Sequence, residues 1–178
     1  MTLVRRKHIR RLVQGLLAEH HFRSAPVQVA EIARSLGVEV QETPTEDDLS
    51  GFLYRDRLDD SAIIGVNATH HPNRRNFTIA HELGHYLLHD LDDVHVDRDF
   101  KVWLRSEASS QGTDVEEKEA NLFAAELLMP ASFVKQDVED IGTIDIIDEE
   151  VLQELAAKYN VSTQAMTFRL AYLGYLQQ

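Results

Sequence analysis

The sequence contains no cysteine among its 178 residues. Without thiols, the chain has no disulfide framework, no cysteine-ligated zinc or iron–sulfur site and no thiol nucleophile. It also lacks any apolar run near the ~18 residues that a membrane span requires. Its first residues lack the small-residue cleavage site that is typical of a signal peptide. We therefore expect a cytoplasmic protein.

Positive charge is also scarce, with 18 Lys+Arg against 30 Asp+Glu and a formal net charge of −12. This acidity argues against a protein that binds nucleic acid through bulk charge, so direct nucleic-acid binding is not expected. Five of the basic residues lie within residues 1–18, where we interpret them as the solvated face of a packing helix. Nine histidines remain, and imidazoles and carboxylates are the strong metal ligands left when thiols are absent.

Apolar spacing predicts helices interrupted by short strands. Helical periods occur at residues 9–17, 29–36, about 75–87, 115–129, 151–159 and 162–173. Alternation predicts strands around residues 38–40, 52–54 and 64–66, with Asp59-Asp60 turning the second into the third. Residues 90–114 are acidic and poorly periodic, and we assign most of them to a loop. We predict one α+β domain over residues 1–178, with a small antiparallel sheet of about three strands packed with helices.

The central helix contains His81-Glu82-Leu83-Gly84-His85, an HExxH pattern. Residues four apart share a helix face, so His81 and His85 can direct their imidazoles at one ion. Glu82 is rotated by about 100° and can reach water instead of the ion. Two histidine ligands and a glutamate base are the arrangement of a zinc metallopeptidase. The alternative interpretation is two surface histidines on an ordinary helix.

A catalytic zinc site needs a third protein ligand and an open position. His89 extends the four-residue series, but eight residues of helix separate Cα atoms by ~12 Å along the axis, which is too far for convergence. The acidic helix that starts near Val115 supplies three candidates, Glu116, Glu117 and Glu119. Glu117 shares a stripe with small residues and Glu116 lies on the most apolar face. Spacing alone does not choose among the three.

Two stretches of the sequence are similar to a known family. They are residues 77–85, FTIAHELGH, and residues 117–130, EKEANLFAAELLMP. Together they resemble the ImmA/IrrE family of metallo-endopeptidases, and the likeness extends upstream to PVQVAEIARSLGVEV and downstream to LAAKYNVSTQAMTFRL. That family has a gluzincin-like site, built from the two HExxH histidines and a glutamate four residues before the Asn of the second motif.

The resemblance implies a zincin-like active-site helix and one Zn²⁺ per chain. It implies that His81, His85 and Glu117 are the metal ligands, with Glu119 as the fallback, and that Glu82 is the catalytic base. We expect residues 1–130 to form the catalytic core with its N-terminal helices. Residues 131–178 are expected to form a helical, helix-turn-helix-like C-terminal extension.

The expected activity is hydrolysis of peptide bonds, with Glu82 assisting the attack of a water that zinc activates. Tyr54, Tyr86 and His95 are candidate donors to the oxyanion. A substrate peptide could pair with the strand at residues 61–67 if that strand lies at a sheet edge.

Members of the family cleave helix-turn-helix repressors, often encoded beside them, and so switch on stress or mobile-element genes. The resemblance therefore implies a helix-turn-helix transcriptional repressor as the substrate and partner of this chain. Two alternatives stay open. One is a weakly active or inactive module that binds a repressor, and the other is a DNA-binding regulator, for which the basic N-terminus and the helix-turn-helix-like tail are the only support.

Overall fold

The structure is a computed structural model, and it describes residues 3–45, 49–56, 58, 61–90, 94–98, 113–141 and 149–176. Within these residues the chain forms seven helices and four strands. The helices are α1 (Arg6–Glu19), α2 (Val29–Ser35), α3 (Pro72–Leu88), α4 (Thr113–Leu128), α5 (Ala131–Ile141), α6 (Glu149–Lys158) and α7 (Thr163–Leu173). The strands are β1 (Val38–Thr43), β2 (Leu49–Arg55), β3 (Ala62–Asn67) and β4 (Val94–Arg98). The α+β fold class is confirmed.

The strands form one sheet in the order β1-β3-β2-β4. β2 is antiparallel to both β3 and β4, whereas β1 is parallel to β3. The sheet thus has one strand more than predicted and is mixed instead of antiparallel. Residues assigned to a loop supply β4, and the predicted turn at Asp59-Asp60 lies outside the described residues. Alternation along a strand reports which side chains are buried, but it does not identify the partner strand.

β3 lies in the interior of the sheet, paired with β1 on one side and β2 on the other. The expectation that a substrate could pair with residues 61–67 at an edge is therefore corrected. Among the described strands, β1 and β4 are the two at the edges of the sheet. β4 is the one that carries a residue of the candidate site, His95.

Two helix starts show how well capping can be predicted. α7 begins as expected, since the Ser162 side chain accepts a hydrogen bond from the backbone N–H of Ala165. α3 begins at Pro72, three residues earlier than predicted. The His71 side chain caps it by accepting from the N–H of Asn73, and Pro72 suits the first turn because its φ is already helical. Histidine is not a preferred cap, which is why the sequence pattern missed this start.

One hydrophobic core joins the sheet to helices from both ends of the chain. Its buried members include Ile9 and Val13 of α1, Ile64 of β3, Leu83 of α3, Phe123 and Leu127 of α4, Val134 of α5, Leu155 of α6, and Met166 and Leu170 of α7. α7 is also tied to α4 by the buried Arg169, whose Nη2 donates to Glu126 Oε2 at 2.7 Å. None of the described helices is long and apolar enough to cross a membrane. The division into a core of residues 1–130 and an extension of residues 131–178 stays a prediction.

Candidate metal centre

The HExxH sequence lies in the second half of α3, in its most buried stretch. Every residue from Thr78 to His85 is buried. His81 and His85 are each about 1% exposed at the side chain, and their Nε2 atoms lie 3.1 Å apart. The interpretation of these residues as surface histidines is therefore corrected. The spacing of four residues places both imidazoles on one helix face, as expected.

α4 packs closely against α3 at this point because α3 carries a glycine there. A Cβ built on Gly84 would lie 3.1 Å from Cα of Ala120 and 3.1 Å from Cδ1 of Phe123. This close approach brings Glu117 of α4 to the histidines. Its Oε2 lies 3.3 Å from Nε2 of His81, and its Oε1 lies 3.2 Å from Nε2 of His85.

The spacing of these atoms fits a metal ion. Ligand atoms that bind zinc tetrahedrally at ~2.0–2.1 Å lie about 3.3–3.4 Å from one another. The separations between Glu117 oxygens and the two histidine nitrogens are 3.2–3.3 Å, close to that value. Two imidazoles and a carboxylate are also a donor set that divalent transition metals accept. The cluster can therefore hold a metal ion.

A fourth residue belongs to the cluster. The ligand atoms of His81, His85, His95 and Glu117 all lie within 4.8 Å of one another. His95 comes from β4, and its ring centroid is 4.2 Å from that of His85. Sequence reasoning considered His95 only as an oxyanion donor and missed its place in this cluster. The one local signal was the alternation of Val94, His95 and Val96, which is too short to predict a strand.

The electrostatics of the cluster favour metal-binding protonation states. Burial lowers the pKa of His85 to about 4, the Glu117 carboxylate opposes this shift, and the neighbouring His81 and His95 add to it. Burial by itself raises the pKa of Glu117, but hydrogen bonds with His81 and His85 outweigh it and hold that pKa well below its ordinary value. At neutral pH His85 is therefore uncharged and Glu117 is ionised, as metal binding requires.

The remaining candidates lie elsewhere. Glu119 points away from the cluster and contacts Arg5 and His89. Among the described residues, neither Glu116 nor Glu119 belongs to the group that could hold a metal. His89 lies beyond the end of α3, outside the cluster, as the helix geometry predicted.

The expected base, Glu82, lies on the same helix as the two histidines, and the two candidate tyrosines contact other side chains. Glu82 is completely buried in α3, next to His81 in the chain. The Tyr54 hydroxyl donates to Asp56 Oδ2 at 3.4 Å. The guanidinium of Arg55 lies 5.2 Å from the centre of the Tyr86 ring.

The sequence profile of peptidase family M78, described as an IrrE N-terminal-like domain, matches residues 33–171. The chain belongs to this family. The match covers the sheet, the HExxH helix, α4 and nearly all of the C-terminal helices, and it confirms the ImmA/IrrE resemblance of the two central motifs.

Two curated relatives are similar over part of their length. The chain is 29% identical over 125 residues to "Metallopeptidase ImmA" of Bacillus subtilis (strain 168), an alignment that covers 70% of this chain and 64% of the relative. It is 33% identical over 110 residues to "Radiation response metalloprotease IrrE" of Deinococcus deserti, covering 61% of this chain and 36% of the relative. The alignments therefore span less than two thirds of either relative.

A solved structure titled "Mycobacterium tuberculosis transcriptional regulator" has the same fold. It superposes with a TM-score of 0.64 at 20% sequence identity, over 93% of this chain and 46% of that one. At this identity the similarity concerns the fold alone.

Proposed function

We propose that this chain is a zinc-dependent endopeptidase that hydrolyses peptide bonds of a helix-turn-helix transcriptional repressor. One observation carries the proposal: Glu117 of α4 lies within 3.2–3.3 Å of the Nε2 atoms of both HExxH histidines. The family membership supports it independently.

His81, His85 and Glu117 hold one zinc ion in this proposal. Both histidines are buried, and His85 is uncharged at neutral pH, so each can offer an Nε2 lone pair when that nitrogen carries no proton. The ionised Glu117 offsets part of the charge of the ion. When bound, the ion supplies the Lewis acidity that makes water acidic near neutral pH and polarises a peptide carbonyl.

Glu82 is the general base. Its position beside His81 turns its carboxylate about 100° from the ligand on the helix, so it can serve water instead of the ion. Glu82 takes a proton from the attacking water and then delivers it to the nitrogen of the leaving amine. Its complete burial keeps bulk water from competing for that proton.

His95 is the residue that we assign to the developing oxyanion. Its Nε2 lies 3.6 Å from Glu117 Oε1, at the border of the cluster. A catalytic site keeps one coordination position open, so three protein ligands suffice and His95 serves the carbonyl oxygen of the substrate. His95 lies in the cluster with His81, His85 and Glu117, whereas the Tyr54 hydroxyl donates to Asp56 and the Tyr86 ring lies against Arg55.

The substrate proposal is supported by the family and by the sheet edge. Relatives are named a metallopeptidase and a radiation response metalloprotease. The resemblance of the two central motifs to the ImmA/IrrE family implies a repressor of the helix-turn-helix class as the substrate. Among the strands that the structure describes, β4 lies at an edge of the sheet, and it carries His95 between the exposed Val94 and Val96. An extended peptide paired with β4 by β-augmentation would pass the cluster.

Contacts within the chain weigh against the DNA-binding alternative. Arg5 and Arg10, which belong to the basic N-terminus, are both ion-paired within the chain, to Glu119 and Glu126. Arg6 and Arg10 also donate to the hydroxyl of Tyr172. The two ion pairs engage two of the five basic charges in residues 1–18 that a nucleic-acid surface would have to present to phosphates.

Elemental analysis of the purified chain tests the metal site. We expect about one zinc per chain in the wild type and in Glu82→Gln, and its loss in His81→Ala and Glu117→Ala. Glu116→Gln is the matched control, since it alters the neighbouring carboxylate of α4 and should retain zinc. A wild-type chain without metal, or equal loss in Glu116→Gln and Glu117→Ala, would contradict the proposed ligands.

Cleavage is tested with the helix-turn-helix repressor encoded nearest the gene. Wild-type protein with zinc should produce defined fragments, whereas Glu82→Gln should bind zinc and be slower by about 10²–10⁴-fold. Intact repressor after incubation with the zinc-loaded wild type would refute this substrate, and undiminished cleavage by Glu82→Gln would refute the role of Glu82.

A further inference from the structure

A buried chain of hydrogen bonds runs from the metal-compatible cluster to the N-terminal segment. Nδ1 of His85 lies 3.0 Å from Nδ1 of His89, and Nε2 of His89 lies 3.2 Å from Oε2 of Glu119. Arg5 then holds Glu119 through its side chain, with Nη2 at 2.5 Å from Oε2 and Nε at 3.0 Å from both oxygens. The side chains of His85, His89 and Glu119 are 1–2% exposed.

The two ends of this series of hydrogen bonds require the same placement of protons on the histidine rings. At the inner end, His85 must leave Nε2 bare to bind a metal, so its proton resides on Nδ1 and is donated to His89. At the outer end, the Glu119 carboxylate can only accept, so His89 must carry its proton on Nε2. His89 then offers Nδ1 as the acceptor that His85 needs. In this arrangement His85 donates through Nδ1, and His89 accepts through Nδ1 and donates through Nε2.

Arg5 fixes this arrangement from outside. Its backbone N–H donates to Glu119 Oε1 at 2.6 Å, and its Nη2 also donates to the carbonyl of Leu88 at 2.9 Å. Arg5 therefore clamps the carboxylate and also the end of α3, from which His89 projects. It lies outside residues 33–171, the part that matches the family profile.

We propose that His89 and Glu119, clamped by Arg5, are positioning residues that hold His85 in its metal-binding tautomer and orientation. This inference rests on the proposed metal site and extends it to the N-terminal segment. A histidine ligand that donates its second ring N–H to a fixed partner binds metal more tightly, and removing such a partner costs about 10–100-fold in affinity. Here the partner is a second histidine that passes the contact to a carboxylate.

The test measures zinc affinity by competition with a chromophoric chelator, and the melting temperature of each metal-free variant. His89→Leu removes both hydrogen bonds and should raise the Kd for Zn²⁺ by about 10–100-fold. His89→Gln should restore much of the affinity, because its amide oxygen can accept from His85 while its amide nitrogen donates to Glu119. Rescue by Gln separates hydrogen bonding from mere filling of space.

Arg5 has a matched control in Arg10. Both join the start of the chain to a buried glutamate of α4, and their side chains are 46% and 47% exposed. Arg10 pairs with Glu126, whose other partner is Arg169, whereas the partner of Arg5, Glu119, bonds to His89. Arg5→Ala should weaken zinc binding, whereas Arg10→Ala should leave zinc affinity unchanged even if its melting temperature falls equally.

The outcomes separate this inference from the proposed function. If the wild type binds no zinc, the proposed metal site itself fails. If the wild type binds zinc and His89→Leu binds it equally well, the site stands and the positioning role is refuted. The role is also refuted if His89→Leu and His89→Gln lose affinity to the same extent, because packing alone would then explain the loss.

Discussion

Replacing Gly84 by alanine tests whether the close packing of α3 on α4 sets the metal site. In the interior of a helix, alanine is favoured over glycine by about 1 kcal/mol, because glycine loses more backbone entropy on folding. At Gly84 this gain is opposed by contact with α4. The new Cβ would lie 3.1 Å from Ala120 Cα, 3.1 Å from Phe123 Cδ1 and 3.3 Å from the Ala120 carbonyl oxygen.

Two of those three atoms are backbone, so they can move only if α4 itself shifts by a few tenths of an ångström. Overpacking of this kind costs about 1–3 kcal/mol. The expected net effect of Gly84→Ala therefore ranges from about zero to a loss of ~2 kcal/mol. Any shift of α4 also moves Glu117, which lies less than one turn before Ala120, away from the two histidines.

Gly15→Ala is the matched control, because Gly15 is exposed in α1 and a Cβ there would meet nothing within 4 Å. It should show the helix gain alone and be more stable than the wild type by about 0.5–1 kcal/mol. For a chain of this size 1 kcal/mol corresponds to roughly 2–4 °C in Tm. Gly84→Ala should therefore melt roughly 2–12 °C below Gly15→Ala.

Calorimetry of the metal-free proteins measures the difference in Tm, and chelator competition measures zinc affinity. We expect Gly84→Ala to weaken zinc binding and Gly15→Ala to leave it unchanged. If Gly84→Ala raises Tm as much as Gly15→Ala and keeps wild-type zinc affinity, then the packing of Gly84 on α4 does not hold the site together.

Three other perturbations give expected outcomes. Removing zinc with a chelator should lower Tm, since zinc at 100 times its Kd stabilises the fold by about 2.7 kcal/mol; an unchanged Tm would contradict a structural contribution from the metal. Glu126→Gln should reduce the loss of Tm in acid. Burial raises the Glu126 pKa, but Arg169 and Arg10 outweigh burial and hold that pKa below its ordinary value. The ionised Glu126 therefore stabilises the fold above its unfolded-state pKa, and this stabilisation is lost as pH falls through its folded-state pKa. A variant with the wild-type acid profile would contradict this. Gly65→Ala should destabilise the sheet by about 1–3 kcal/mol, because its Cβ would lie 2.1 Å from the ring of Phe52, the residue opposite it on β2. Urea unfolding measures the loss, which should shrink in the double variant Phe52→Ala, Gly65→Ala.

The part of the site that lies on one helix could be predicted from the spacing of residues in the sequence. HExxH places His81 and His85 on one face because both lie on a single helix, and helix geometry correctly excluded His89 from the cluster. The third ligand is harder to predict, because three glutamates within four residues could each supply the carboxylate. Their separation depends on the rotation of α4 against α3, a tertiary property that spacing along one helix does not determine. The family resemblance selected Glu117, and in the structure that residue is the one beside the histidines.

The sheet and the ends of the elements were less predictable for a related reason. β4 is only five residues long. Apolar and polar residues alternate over too few positions to be distinguished from a chance pattern in an acidic stretch. Its identity as a strand comes from pairing with β2, where His95 pairs with Leu53, a residue more than forty positions earlier in the sequence. His95 therefore reaches the cluster through a long-range pairing, and no local pattern reports that.

Glu119 shows why a carboxylate near a metal motif is not automatically a ligand. It is buried and ionised, and hydrogen bonds from Arg5 outweigh the effect of burial and lower its pKa to about 2. A buried charge of this kind is stable only when it is paired. Here both carboxylate oxygens of Glu119 accept hydrogen bonds, Oε1 from Arg5 and Oε2 from Arg5 and His89. Two carboxylates on one turn of α4 thus have separate tasks. Glu117 is part of the cluster, while Glu119 is connected to it only through His89. Because Arg5 holds Glu119, the geometry of the metal ligands depends on a residue that lies 114 positions before Glu119 in the sequence.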